Sequence, residues 1–444
     1  MYKNKLLLLV LASIIFAQFT NGQNNTNSPY TRFGYGDISD TNNGEQRALG
    51  GVAIGSRSST SINTVNPASY SSVDSLTFMF DIGTSALISR FSDQTAGKKT
   101  FNANLENITM QFPLTKWLGF SGGVLPYSFA GYNFGTSDST NLIPINSSRA
   151  DTIVTTKTFI GTGGFSQVYA GLSAKIFKHV SVGVNAYYMY GTVNNYRDVS
   201  FSGTTTTTVS SSYFTSTTEK NSITANNFRY RFGVQFYNTF AKKHDVTLGL
   251  IYEPKIKLNG GFSKITNGVM NDTIDSGHSS DPNYVAYGFE IPNMYGIGVN
   301  YTYDKKLSIG IDYSLQQWKN VEFFWDPTTS KNSENLNNRS KLAVGVEYQP
   351  KPTGRKFSDR IRYRGGFNMS DSYYNIDGAT QPKNYTITGG IGLPLYNKTT
   401  NSVSMLNATI EYGKIGNTST LKEDYLKLTL NVVFNEHWFF KRKL

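Results

Sequence analysis

Val180-Ser181-Val182-Gly183-Val184-Asn185-Ala186-Tyr187-Tyr188-Met189-Tyr190 decides how this chain folds. In a strand successive side chains point to opposite faces, so Val180, Val182, Val184, Ala186, Tyr188 and Tyr190 share one face and Ser181, Gly183 and Asn185 the other. The alternation recurs. Leu307, Ile309, Ile311, Tyr313 and Leu315 oppose Ser308, Gly310, Asp312, Ser314 and Gln316, and Leu342, Val344, Val346 and Tyr348 oppose Gly345, Glu347 and Gln349. After the N-terminus no segment holds a helical period or an apolar run of spanning length, which excludes a helical inner-membrane protein.

A soluble sandwich alternates in the same way with its apolar face turned inward. The rhythm of connections separates the two. Tight turns fall near Leu114–Trp117, Phe177–His179, Ala241–Asp245, Tyr303–Lys306, Gln349–Asp359 and Tyr396–Ser402, most with a lysine beside an aromatic residue. Long polar connections lie between them, at about residues 130–163, 201–224, 260–287 and 325–338, with shorter ones near Ser92, Asp377 and Gly416. Short and long connections alternate as in an outer-membrane barrel with short periplasmic turns and long external loops. The fold class expected is all-β, a transmembrane antiparallel barrel of about fourteen strands. Its third to seventh strands are read at about 116–129, 164–177, 179–200, 225–240 and 244–259, its eighth, ninth and eleventh at about 288–303, 306–324 and 359–375. Leu426, Leu428, Leu430, Val432 and Phe434 alternate with Lys427, Thr429 and Asn431 in the last one, whose aromatic end is similar to the C-terminal insertion signal of barrel proteins.

Of 444 residues only 16% are charged, with 41 Gly, 29 Tyr and 29 Phe. There is no cysteine, so disulfides, thiolate metal sites and a lipidated N-terminal Cys are excluded. Lys3 and Lys5 precede the apolar run Leu6–Ala17, too short to span a bilayer and suited to a secretory signal, with cleavage after Gly22 or after Ala17. Loss of the two lysines lowers the formal charge from +12 to +10. The cations are dispersed among strand ends and turns, which argues against nucleic acid and for an anionic membrane surface, that is, outer-membrane lipids and lipopolysaccharide. The organisation expected is a signal peptide (1–22), an N-terminal hatch or plug segment (23–75), a barrel (76–434) and a periplasmic basic and aromatic tail (435–444), with both chain ends on the periplasmic side of a Gram-negative outer membrane.

The four histidines, 179, 244, 278 and 437, lie far apart in sequence, and no phosphate loop, nucleophile elbow or zinc-binding HExxH pattern is present. No enzyme, cofactor or metal site is expected. Gly119, Gly122, Gly123 and Pro126 crowd the third strand, where a break in the hydrogen-bond ladder or a plain bulge is expected. The polar strand faces carry Arg229 and Arg231, and Arg360, Arg362 and Arg364. Facing a lumen, these either bind a carboxylate headgroup or pair with Asp312, Glu347 and Glu411, and internal pairing is preferred because buried charges are rarely left alone.

Before the first strand, Arg47-Ala48-Leu49-Gly50-Gly51-Val52-Ala53-Ile54-Gly55 is followed by Asn63-Thr64-Val65-Asn66-Pro67-Ala68-Ser69. This resembles the N-terminal hatch of the FadL/TodX family of outer-membrane channels for long-chain fatty acids and hydrocarbons, in which an Asn-Pro-Ala motif precedes the barrel. The resemblance implies a hydrophobic small-molecule or detergent ligand and, at the third strand, a lateral opening by which it leaves into the bilayer. Read from the residues, Asn66, Pro67 and Ala68 form a capped turn packing the segment against the wall. Two functions remain open: passive uptake of hydrophobic molecules, and a non-transporting accessory barrel of an outer-membrane protein assembly or secretion complex, bound to its other subunits. A general porin-like channel is disfavoured by the plug.

Overall fold

The computed structural model describes residues 25–437 apart from 94–95, 143–150, 205–215, 269–271, 276–288, 324–335, 377–380, 398–401 and 418–420. Fourteen strands form an antiparallel meander: β1 (Thr77–Ser92), β2 (Gly97–Pro113), β3 (Leu118–Leu142), β4 (Asp151–Phe177), β5 (Val180–Thr204), β6 (Thr217–Phe240), β7 (His244–Glu253), β8 (Met294–Tyr303), β9 (Leu307–Gln316), β10 (Arg339–Tyr348), β11 (Arg362–Asp371), β12 (Lys383–Asn397), β13 (Ser402–Asn417) and β14 (Leu421–His437). β14 pairs with β1 from Lys422–Ser92 to His437–Thr77, and so the sheet closes on itself.

The two faces sort as the alternation requires. Ser181, Asn185, Gln235 and Asn431 are fully buried on the lumen side, while Leu172, Phe232, Ile311, Ile387, Leu428 and Leu430 stand exposed on the outer side. A band of this size in water would be an aggregation surface; hydrocarbon accepts it. Exposed Trp117, Phe177, Phe240, Tyr303, Tyr348 and Tyr363 ring the short-turn end, where amphipathic aromatic rings anchor a barrel at the bilayer interface. Two of those turns are held by left-handed pairs, Ala241 and Lys242 (φ 47° and 61°) and Asp304 and Lys305 (φ 51° and 56°), the backbone that a tight hairpin demands.

Several boundaries differ from the sequence reading. Within residues 130–163 and 201–224, read as long polar connections, 130–142, 151–163, 201–204 and 217–224 are strand. β3 and β4 stay paired out to Leu142–Asp151, and β5 reaches Thr204 beside β4. Threonine-rich stretches are polar, yet their β-branched side chains suit an extended ribbon that continues beyond the apolar band. The strand expected over 244–259 stops at Glu253 before Pro254, and the chain resumes pairing with β6 at Asn259–Gly268. β8 and β9 end well inside the expected 288–303 and 306–324. β11 starts only at Arg362 because Ser358–Arg360 forms a 3-10 turn. β14 runs on to His437, and both the expected signal peptide and residues 438–444 of the expected tail lie outside the described residues.

Residues 25–75 form short pieces: 3-10 turns at Pro29–Arg32 and Pro67–Ser72, a two-residue strand Asp37–Ile38, and one helix, α1 (Gly44–Ala48). α1 has a capping box, with Asn43 Oδ1 accepting from Gln46 N–H and Gln46 Oε1 from Asn43 N–H. A five-residue helix is unstable alone. It persists here because it packs against β12, β13 and β14.

Candidate functional site

Asn66 caps the turn Pro67–Ser72: its Oδ1 accepts from Ala68 N–H (3.1 Å) and its Nδ2 donates to Ile54 O (2.8 Å). The wall makes room with glycine. A Cβ on Gly233 would lie 2.1 Å from Asn66 Oδ1, and one on Gly183 2.5 Å from Pro67 C. Arg57, which the sequence did not single out, secures the same turn by donating to Ala68 O (3.1 Å) and Ser71 Oγ (3.2 Å) while reaching Ser181 and Gln235 of the wall. Burial pushes its guanidinium down to about 10.

The lumen arginines are paired. Arg229 Nη1 is 2.9 Å from Glu253 Oε2, and Arg231 holds the other oxygen of the same carboxylate. Arg364 has no exposed side-chain surface and joins Glu347 (2.6 Å) to Glu45 of α1 (3.0 Å), donating also to Asn407 (2.7 Å). Arg362 lies between Glu45 (3.9 Å) and Thr60 Oγ1 (3.3 Å), and Arg360, on the short-turn rim, has its guanidinium 5.7 Å from the ring of Tyr396. Of the expected acids Glu347 pairs with Arg364 as anticipated, while the other two take other partners: Asp312 accepts from Ala53 and Ile54 N–H (both 2.6 Å), and Glu411 lies 3.7 Å from Arg47. Arg47 of α1 also grips Glu106 (2.6 Å), which Lys427 approaches from β14 (2.6 Å). Asp40, a third exposed, meets Lys341 (2.5 Å) and Arg339 (3.6 Å). Burial raises its carboxyl, but the two cations outweigh that and hold it well below the usual carboxylate range. N-terminal acids and bases are thus bound to wall bases and acids from β2, β10, β11 and β13.

β3 departs from the regular wall. It is paired with β4 along its length, with a register shift at Pro126–Ser128, but with β2 only from Ile108–Val124 to Pro113–Gly119. Gly123 lies so close to β2 that a Cβ would sit 2.2 Å from Ile108 O; at Gly119 it would sit 2.3 Å from Tyr70 O, and at Gly122 3.2 Å from Tyr169 O. Beyond Val124 the N-terminal segment enters the seam. Asp37–Ile38 pairs with Phe129–Ser128, Ser39 N–H donates to Tyr127 O (2.9 Å), and Gly131 N–H to Thr31 Oγ1 (3.0 Å). On the other bank Asn104 Nδ2 donates to Asn25 O (2.8 Å) and Asn27 Nδ2 to Asn102 Oδ1 (3.0 Å).

Above the segment an aromatic cluster closes the long-loop end. Trp318 is fully buried between Tyr373 (4.6 Å between ring centres) and Tyr35 (6.0 Å), with Phe323, Phe289 and Tyr374 around them. Three cavities described inside the lumen are small, 80, 150 and 280 Å³, and are lined by such side chains as Arg229, Arg231, Asp40, Glu411, Lys427 and Glu347. A larger one, 860 Å³, opens at the outer end of the seam between Phe33, Phe91, Phe134, Ile376 and Leu421.

The family model described as BamG matches residues 1–444. No curated protein matches by sequence. Among solved structures, the Ralstonia pickettii toluene transporter TbuX superposes with a TM-score of 0.54 and 14% identity, over 89% of this chain and 97% of that one. A Pseudomonas aeruginosa FadL homologue gives 0.53 and 12% over 91% and 100%, and the Pseudomonas putida toluene transporter TodX 0.53 and 12% over 90% and 99%. Likeness at such identities is one of fold alone, that of a FadL-type barrel.

Two outcomes follow from the ion pairs. Arg364→Ala strands the carboxylates of Glu45 and Glu347 in the lumen and costs about 3–5 kcal/mol, read as a lower unfolding midpoint in detergent, whereas the exposed Lys356→Ala changes it little. Asp40 contributes stability that is present above its unfolded value, near 3.9, and is lost as pH falls below it. Asp40→Asn therefore unfolds more readily than the parent at pH 7, and the difference starts to shrink only as pH falls below about 4 and closes well below that, measured as protease resistance of residues 25–75.

Proposed function

The chain belongs to the BamG family, and from that premise we propose that it is a non-transporting accessory barrel of an outer-membrane protein assembly or secretion complex. The observation that carries this reading is the lumen: residues 25–75 are bonded to the wall by buried ion pairs beneath an aromatic cluster, and the described cavities within are charged and too small for an apolar ligand, which supports a plug. Conduction through such an interior would require several desolvated ion pairs to separate together. The short turns and the end of β14 at His437 face the periplasm and the long-loop end faces outward, but the N-terminal side departs from the expected periplasmic position: the described chain begins at Asn25 in the outer half of the barrel, where Asn104 Nδ2 donates to Asn25 O and Ser28 Oγ to Glu423 beside the start of β14. In this role the barrel offers its rims to partners while its apolar band holds it in the bilayer.

A second reading is favoured by the seam. The structures that share this fold include toluene transporters, and the incomplete β2–β3 pairing with the 860 Å³ cavity beside it suits passive uptake of hydrophobic small molecules such as long-chain fatty acids, leaving laterally near Gly122–Pro126. Purification from the native outer membrane in mild detergent decides between the two. The accessory barrel migrates on a native gel in a complex much larger than its 49.3 kDa, and a deletion strain takes up long-chain fatty acids normally. Recovery of the barrel always alone, together with loss of fatty-acid uptake on deletion, would reverse the ranking.

A further inference from the structure

Among the short turns, cations are gathered on one arc. The β6–β7 turn carries Lys242 and Lys243, the β8–β9 turn Lys305 and Lys306, and the β10–β11 connection, residues 349–361, carries Lys351, Arg355, Lys356 and Arg360. Asp304 and Asp359 are the only acids in these three turns, leaving a formal charge of +6. The remaining turns, 114–117, 178–179 and 398–401, hold one lysine each. General attraction to anionic headgroups would be served by cations spread around the whole rim; this asymmetry points to a partner on one side.

The arc is ordered. Asp304 N–H donates to Lys243 O and Gln349 N–H to Lys306 O, both at 2.7 Å, so each turn is hydrogen-bonded to the next. The β10–β11 connection closes on itself through Lys351 N–H to Asp359 O (2.8 Å) and Gly354 N–H to Lys351 O (2.9 Å). Its tip, Arg355-Lys356-Phe357, is exposed, with Phe357 half accessible. Behind the tip the 280 Å³ recess runs in between Pro352, Lys305, Arg362 and Arg57. An exposed aromatic ring beside an arginine, on a backbone already fixed, has the make-up of an interface anchor, and the surrounding positive field selects and steers an acidic surface.

We propose that this arc docks an acidic segment of a partner protein, with Phe357 buried in the contact and the partner's carboxylates against Lys305, Arg355 and Lys356. The inference rests on the accessory-barrel reading and names the chemistry of its partner. The test uses the full-length protein in its native membrane with a photo-crosslinking residue replacing Phe357, and the crosslinked peptide identified by mass spectrometry. The expected adduct is to one protein, through a segment rich in Asp and Glu. The triple variant Lys305→Glu, Arg355→Glu, Lys356→Glu lowers the adduct at least tenfold while the barrel stays heat-modifiable on gels, and lysines in the partner's acidic segment restore it. The neutral variant Arg355→Gln, Lys356→Gln gives a smaller loss in the same direction and serves should the triple variant not assemble. An adduct to phospholipid alone, to a segment without acids, or of undiminished yield in the charge variants overturns the proposal. A triple variant that still co-migrates with the complex removes the basic arc and leaves the accessory role standing; a parent barrel that migrates alone removes both.

Discussion

The guanidinium of Arg364, without exposed surface and joined to Glu45 on one side and Glu347 on the other, shows the constraint on which the molecule depends. An arginine on a lumen-facing strand position needs counter-charges. One comes from the neighbouring strand and the other from a segment more than 300 residues away in sequence. Arg47 with Glu106 repeats the arrangement with the signs exchanged, and Asp40 with Lys341 extends it to β10. Buried pairs add little net stability compared with apolar packing, yet breaking one is costly, so they fix where the N-terminal segment sits more than how tightly the barrel folds.

A second constraint comes from lipid. No backbone N–H or C=O can be left unpaired against hydrocarbon, and β2 and β3 part after Ile108–Val124. Residues 25–39 meet part of that demand on the β3 bank, where Asp37–Ile38 acts as a fragment of strand and Thr31 Oγ1 accepts from Gly131 N–H, while on the β2 bank the contacts run through the side chains of Asn102 and Asn104. The N-terminal segment is therefore hydrogen-bonded into the wall itself. Gly36, whose φ of +88° and contact with Phe129 O exclude a side chain, is where the segment turns into the seam.

Much of this was legible in the sequence. Strict alternation identified the strands and their inner faces, and tight Lys-bearing turns gave their number, since a hairpin's register leaves little choice. The same register could have found Glu253: pairing Phe240 with His244 places Arg231 opposite it, one step beyond the Phe232–Tyr252 pair. The outward reach of β3 to β6 was hidden because composition reports polarity and cannot distinguish a polar ribbon from a loop. The crowded glycines of β3 marked a break, but which neighbour is lost depends on how the N-terminal segment packs. The partners of Glu45, Arg47 and Arg57 were not legible, because irregular backbone carries no periodicity and their partners on the wall are distant in sequence.

The central claim, a barrel whose lumen is closed by its own N-terminal segment, is tested most directly by ion conductance of the purified full-length protein in a planar bilayer. No steady conductance is expected from the intact chain, with brief openings appearing once Arg364→Ala loosens the segment. A large, steady conductance from the intact chain would contradict it.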